Sequence, residues 1–191
     1  YRRQRQMYIR DRGYTIDVCR GDEAWNSSQV WYMPFDDLNA EVTSDITWWP
    51  WREWYYTINV CNFAISRCGE DNSQLSNKMK RIKGQVLFLR GLSYYNLVGY
   101  YQNPPLITDY ATYSSLDGLY TSNSTYDAVL DQVEKDFHEA MELLPSRDEG
   151  GEWAGGRATC GAAAGYYARA LMMRQKYSDA LTAVSYTHLT L

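Results

Sequence analysis

The chain has 191 residues, 45% of them hydrophobic, enough for one domain or a large piece of one and too apolar for a disordered polymer. A formal net charge of -4 leaves no basic surplus for a phosphate backbone, and Lys and Arg gather only in the short runs Arg2–Arg5 and Lys78–Lys83, which argues against nucleic acid as a partner. The 18 Tyr and 7 Trp far outnumber the 4 Phe, and rings with an apolar face and a polar tip suit wet, flat binding surfaces as well as core.

Taken in order, a short opening helix is expected over Tyr8–Tyr14, followed by a long loop, RGDEAWNSSQVWYMPFDDLNAEVTSDITWWPW, residues 20 to 51. A loop of that length in a compact domain is functional or disordered, and its density of rings argues for function. From Pro50, a first-turn residue, the positions Trp51, Trp54, Tyr55, Ile58, Cys61 and Ile65 keep helical spacing, with Trp48, Trp49, Trp51 and Trp54 assigned mostly to core. Gly69 to Asn77 is polar and breaks that helix.

The next helix runs to about Tyr101. Ile82, Val86 and Leu89 form one apolar stripe and Phe88, Leu92 and Tyr95 a second, so packing on two sides is expected. Arg90 lies among them and must find a carboxylate or carbonyl partner, because an unpaired buried charge costs several kcal/mol. Pro104 and Pro105 forbid further helix. After a turn-rich loop, Thr108–Ser124, a third helix starts on a Ser124 or Thr125 cap and closes at Pro145. It puts Tyr126, Val129, Val133, Phe137, Ala140, Met141 and Leu144 on one face, with Asp127, Asp131, Glu134 and Asp136 largely opposite. Beyond a Gly-rich segment, CGAAAGYYARALMMRQKYSDALTAV reads as helix, short turn, helix with a small-residue face, which resembles a tetratricopeptide unit. No segment sustains strand alternation. The expected class is all-α, a tetratricopeptide-like helix-turn-helix superhelix with long loops.

The cysteines at 19, 61, 68 and 160 form no C-x-x-C pair and have no histidine cluster, so neither metal nor cofactor is expected. Cys61 and Cys68 are seven residues apart on one helix, about 10 Å of rise, too far for a disulfide. Both read as small buried apolar residues.

Four segments in order, YYTINVCNFAI, GQVLFLRGLSYYNLVGYYQNPPLIT, TYDAVLDQVEKDFHEAMELLP and GRATCGAAAGYYARALMMRQKYSDALTAV, closely resemble the amino-terminal half of the SusD/RagB family. That resemblance covers about residues 20 to 184 and implies a surface-exposed outer-membrane lipoprotein that captures oligosaccharide or polysaccharide for a SusC-like TonB-dependent transporter. Two departures stand out. Gly91 replaces the family's Ala at a helix contact, at a cost of up to about 1 kcal/mol. Gln102 replaces Gly after the helix, so the left-handed cap is expected to pass to Asn103. Neither a signal core nor a lipobox is seen; Cys19 follows Tyr-Thr-Ile-Asp-Val, with an acidic residue where an apolar run is needed. The expected organisation is therefore an incomplete amino-terminal helical domain over 1–184 and a non-native tail over 185–191.

Sugars are held by stacking their CH faces on aromatic rings while amides and carboxylates take the hydroxyls. The loop sequence Gly-Asp-Glu-Ala-Trp-Asn resembles the family's acidic loop, which implies Trp25 as stacking ring, Asn26 as hydroxyl partner and Asp22 and Glu23 nearby, with Trp31 and Tyr32 as second choices. Catalysis is not expected. Adjacent acids in Phe-Asp-Asp-Leu diverge, Glu139 and Glu142 share a solvated helix face, and the two histidines, His138 and His188, offer no nucleophile arrangement. A tetratricopeptide-type adaptor that binds protein or peptide is the alternative.

Overall fold

A computed structural model of the chain describes residues 45–69, 71–114, 117–150 and 155–188, together with Met33 and Asn39. Five helices longer than ten residues are found among them: α1 (Asp45–Cys68), α2 (Asn77–Tyr101), α3 (Tyr126–Leu143), α4 (Cys160–Met173) and α5 (Tyr177–His188). No strand occurs among the described residues, and the expected all-α class is observed. The chain divides into two compact units at residue 56, inside α1. The expected Tyr8–Tyr14 helix lies outside the described residues.

In the second unit α2 packs on α3, α3 on α4 and α4 on α5. Helix neighbours in sequence are neighbours in space, as in a tetratricopeptide stack. Local chemistry sets most of the boundaries. Gly69, at φ +85°, follows α1 in the left-handed region that a glycine enters without strain. Ser76 accepts from the Met79 amide to start α2, Thr125 from the Ala128 amide to start α3, and Thr159 from the Ala162 amide to start α4. α3 ends at Leu143, with Leu144 in extended geometry ahead of Pro145.

Two core clusters stand out among the described residues. Leu87, Ala140, Leu144 and Ala163 are buried together, with Ile65, Phe88 and Met141 against them. Ala168, Leu171, Ala180 and Ala183 close the α4–α5 turn. Each large apolar side chain fully enclosed here contributes roughly 1.5–3 kcal/mol relative to exposure. Gln85 reinforces the stack from α2, donating to the Ala158 carbonyl at 2.5 Å and accepting from its amide at 3.1 Å.

Several expectations are corrected. α1 begins at Asp45, so Pro50 lies inside it, past the first turn, where it removes one i→i−4 hydrogen bond. α2 is not packed on two apolar stripes: its buried face includes Lys83, Gly84, Leu87, Arg90, Gly91, Ser93, Tyr94, Leu97 and Val98, while Leu89 is 45% exposed. Small and polar residues make that face because α3 comes very close. A Cβ on Gly91 would stand 3.1 Å from the Phe137 ring and 3.2 Å from Cβ of Asp136. Gly91 is therefore a fit to this crossing rather than a loss of helix propensity alone. Gln102 keeps positive φ itself (φ 62°, ψ -66°), and the Asn103 amide donates to the Tyr101 carbonyl at 2.7 Å. That is a three-residue γ-turn centred on Gln102, so the cap does not pass to Asn103. α5 spans Tyr177–His188.

Candidate ligand-binding surface

The frame of the second unit is a buried polar hub. Arg90 reaches from α2 to α3, where its Nε donates to Oδ2 of Asp136 at 2.8 Å and its Nη2 to Oδ1 at 2.6 Å. Its Nη1 donates to Oδ1 of Asn62 on α1 at 2.9 Å, and Gln132 adds a 2.7 Å bond to Asp136. Asn62 in turn donates to the Ile107 carbonyl at 2.8 Å, and the Tyr94 hydroxyl both donates to that carbonyl and accepts from the Ile107 amide at 2.8 Å. Three helices and the segment after Pro104-Pro105 are thus tied at one point. The expected structural partner of Arg90 is found, whereas Asp136 is buried and not on the solvated face.

Burial works against the Arg90 charge, but the hydrogen bonds and charge of Asp136 outweigh it and hold the guanidinium protonated. Burial also pushes the nearby Cys61 thiol up to about 12. Cys61 and Cys68 are both buried and unpaired, as the spacing implies.

Each unit carries rings that are not sealed. In the first unit Trp48 is 49% exposed, with Trp49 edge-on at 5.8 Å, and the Arg52 guanidinium lies 5.2 Å and 4.5 Å from their ring centres. Trp49, Trp51 and Trp54 are half-buried. Core assignment therefore fails for Trp48: it stands in the early turns of α1, and a guanidinium four residues on covers its ring. In the second unit Phe63 and Tyr110, 41% and 38% exposed, meet at 5.0 Å, with Arg67 5.2 Å over Phe63. Phe63 lies off the stripe of Ile58, Cys61 and Ile65, and that offset was the available sequence signal for its exposure. Ring faces beside guanidinium groups can stack a sugar's CH face and donate to its hydroxyls.

A groove of about 580 Å³ runs along the polar side of α3, lined by Asn72, Lys135, His138, Glu139, Glu142 and Tyr167 among others. Its acids are largely engaged. Glu139 accepts from Asn72 at 3.0 Å and pairs with Lys83 at 3.3 Å, while Glu134 pairs with Arg174 at 3.1 Å and Lys176 at 2.9 Å, and Asp131 also pairs with Arg174. His138 faces Glu142 at 3.8 Å and Tyr167 edge-on at 5.6 Å. Burial would raise Glu139, but the Asn72 hydrogen bond and Lys83 charge hold it below the ordinary carboxylate range. Among the described residues no three His, Cys, Asp or Glu side chains could hold a metal ion, and no helix is long and apolar enough to cross a membrane.

The six residues singled out from sequence, Asp22, Glu23, Trp25, Asn26, Trp31 and Tyr32, all lie outside the described residues.

The fold is shared with solved structures. A SusD-like carbohydrate-binding protein from Bacteroides fragilis superposes with a TM-score of 0.72 at 22% identity, covering 89% of this chain and 31% of that one. A laminarin-binding SusD-like protein gives 0.68 at 20% identity, covering 95% and 43%. Surface glycan-binding protein A from Bacteroides fluxus gives 0.71 at 19% identity, covering 86% and 35%. The chain therefore spans less than half the length of each of these structures. No curated protein matches the sequence. The model of the SusD-like family described as starch-binding and associating with the outer membrane matches residues 5–172, and the chain belongs to that family.

Proposed function

We propose that this chain takes part in non-catalytic capture of oligosaccharide or polysaccharide at the cell surface, for delivery to a SusC-like TonB-dependent transporter in the outer membrane. The family match over residues 5–172 carries the reading. It is supported by partly exposed rings beside guanidinium groups, Trp48 with Arg52 and Phe63 with Arg67. The stacking ring proposed from the loop is Trp25, with Asn26, Asp22 and Glu23 taking hydroxyls and Trp31 and Tyr32 as further rings. Asp131, Glu134 and Glu139 in the described groove are committed to Arg174, Lys176 and Lys83, and Glu142 faces His138, which suits a binding protein better than a hydrolase needing a free acid and base.

The groove beside α3 favours a second reading, a peptide-binding adaptor, since tetratricopeptide stacks hold peptides along helix faces. Affinity electrophoresis through gels containing individual polysaccharides separates the two. Glycan capture requires retardation in at least one gel that is lost in Trp25→Ala at unchanged helicity; retention on an immobilised peptide library without retardation by any glycan would replace it with the adaptor.

A further inference from the structure

Four rings form a continuous seam between α2, α3 and α4. Phe137 lies nearly parallel to Tyr166 at 5.6 Å, Phe88 stands edge-on to Tyr166 at 5.6 Å, and Tyr95 stands edge-on to it at 5.9 Å. The inner end, Phe137, is completely buried, while Tyr95 and Tyr166 are half-buried at the outer end. Above that end is exposed Arg169, its guanidinium carbon 5.7 Å from the Tyr95 ring centre and 5.5 Å from that of Tyr166.

Among the described residues Arg169 makes no ion pair, and neither the Tyr95 nor the Tyr166 hydroxyl has a hydrogen-bond partner. By contrast Arg174, one turn further along, engages three carboxylates. Gly99, one turn beyond Tyr95, and Gly165, one turn before Arg169, have no atom within 4 Å of where a Cβ would stand. Among the described residues the corner thus carries one exposed cation without an ion-pair partner and two phenol hydroxyls without a protein partner.

A guanidinium lying over rings keeps its N–H fork free and is matched by a planar carboxylate, which it can take through two parallel hydrogen bonds. A tyrosine ring accepts the CH face of a pyranose, and its hydroxyl can serve a sugar hydroxyl. One ligand offers all three features. We propose that the Tyr95–Tyr166–Arg169 corner binds a uronic acid residue of an acidic glycan, the carboxylate on Arg169 and the sugar ring against the tyrosines. The proposal rests on the glycan-capture reading and narrows it to a ligand class, held by residues other than those of the Trp25 loop.

Isothermal titration of the whole chain with trigalacturonate and with maltotriose, in wild type, Arg169→Gln and Tyr95→Phe, tests it. Saturable trigalacturonate binding is expected. It should weaken at least about tenfold in Arg169→Gln and measurably in Tyr95→Phe, with the far-UV circular dichroism unchanged. Trigalacturonate binding equal in wild type and Arg169→Gln overturns the proposal, as does its absence while neutral glycans bind, and either result leaves glycan capture standing. Displacement of trigalacturonate by inorganic phosphate at equal concentration would show a generic anion contact and also overturn it. Failure of every acidic and neutral glycan to bind would instead remove glycan capture itself.

Discussion

The Arg90–Asp136 pair makes a quantitative test of how the helical stack is held. Its side chains are 7% and 1% exposed, so removing one partner strands the other in a low-dielectric interior. Asp136→Ala deletes two charge-assisted hydrogen bonds to Arg90 and the acceptor of Gln132, and leaves the guanidinium with Asn62 and a 3.5 Å contact to the Thr108 carbonyl. Breaking a buried pair on one side costs about 3–5 kcal/mol. With a urea m-value of about 2 kcal/mol per M for a domain of this size, the unfolding midpoint should fall by roughly 2 M. Arg90→Met/Asp136→Leu removes both charges together and should recover most of the loss, because a desolvated pair is often no better than apolar groups of similar volume. Urea unfolding followed by circular dichroism at constant m-value measures both. A loss below about 1 kcal/mol in Asp136→Ala, or a double variant as unstable as the single one, would refute a buried, uncompensated guanidinium as the source of the effect.

Four smaller outcomes are expected. Gln102→Gly should stabilise by about 1 kcal/mol in the same assay, since the γ-turn demands a positive φ that strains any side chain; an unchanged or lower midpoint would contradict that strain. Gly91→Ala should destabilise by about 1–2 kcal/mol despite better helix propensity, because Cβ of Asp136 is fixed by its helix and the Phe137 ring is held by Phe88 and Tyr166; a stabilised variant would show that the crossing can relax. Peptide mapping after iodoacetamide treatment at pH 8 should find Cys61 unmodified in the native chain and modified in urea, given a thiol pushed up to about 12; equal labelling in both states would contradict its burial. Glu139 has a folded pKa below its unfolded value near 4.3, so its contribution is complete above about pH 4.3 and is lost as pH falls through the lower folded value. Glu139→Gln should therefore flatten the acid limb of the stability curve and leave its slope above pH 6 unchanged; an acid limb identical to wild type would exclude Glu139 from it.

Most helix ends were legible because capping and breaking are local. Thr125 before α3, Gly69 after α1 and Pro145 after α3 act through their own backbone neighbours; the Ser76 and Thr159 caps do so too but were not singled out from the sequence. The buried faces were less legible, because they depend on what comes across from another helix. Apolar spacing on α2 favours Ile82, Val86 and Leu89, yet α3 meets Lys83, Gly84 and Gly91, and a period drawn from hydrophobic residues gives no weight to glycine or to a paired charge. Asp136 was misassigned for the same reason: an acid reads as a solvated face until its arginine, 46 residues away, is known. Trp48 illustrates the converse, a large apolar side chain left half open with a cation over its ring. The site residues taken from family resemblance, Asp22 to Tyr32, lie in the part of the chain not described, so the described residues contribute exposed rings and guanidinium groups and leave the loop's role as a proposal.

Glycan capture is tested most directly by titrating the 191-residue chain calorimetrically against soluble starch, laminarin and pectin oligosaccharides while assaying the same samples for new reducing ends. Saturable heat with at least one of them, lost in Trp25→Ala and accompanied by no new reducing ends, is the result that capture requires. Absence of saturable binding to every glycan up to millimolar concentration, or release of reducing sugar, would contradict it.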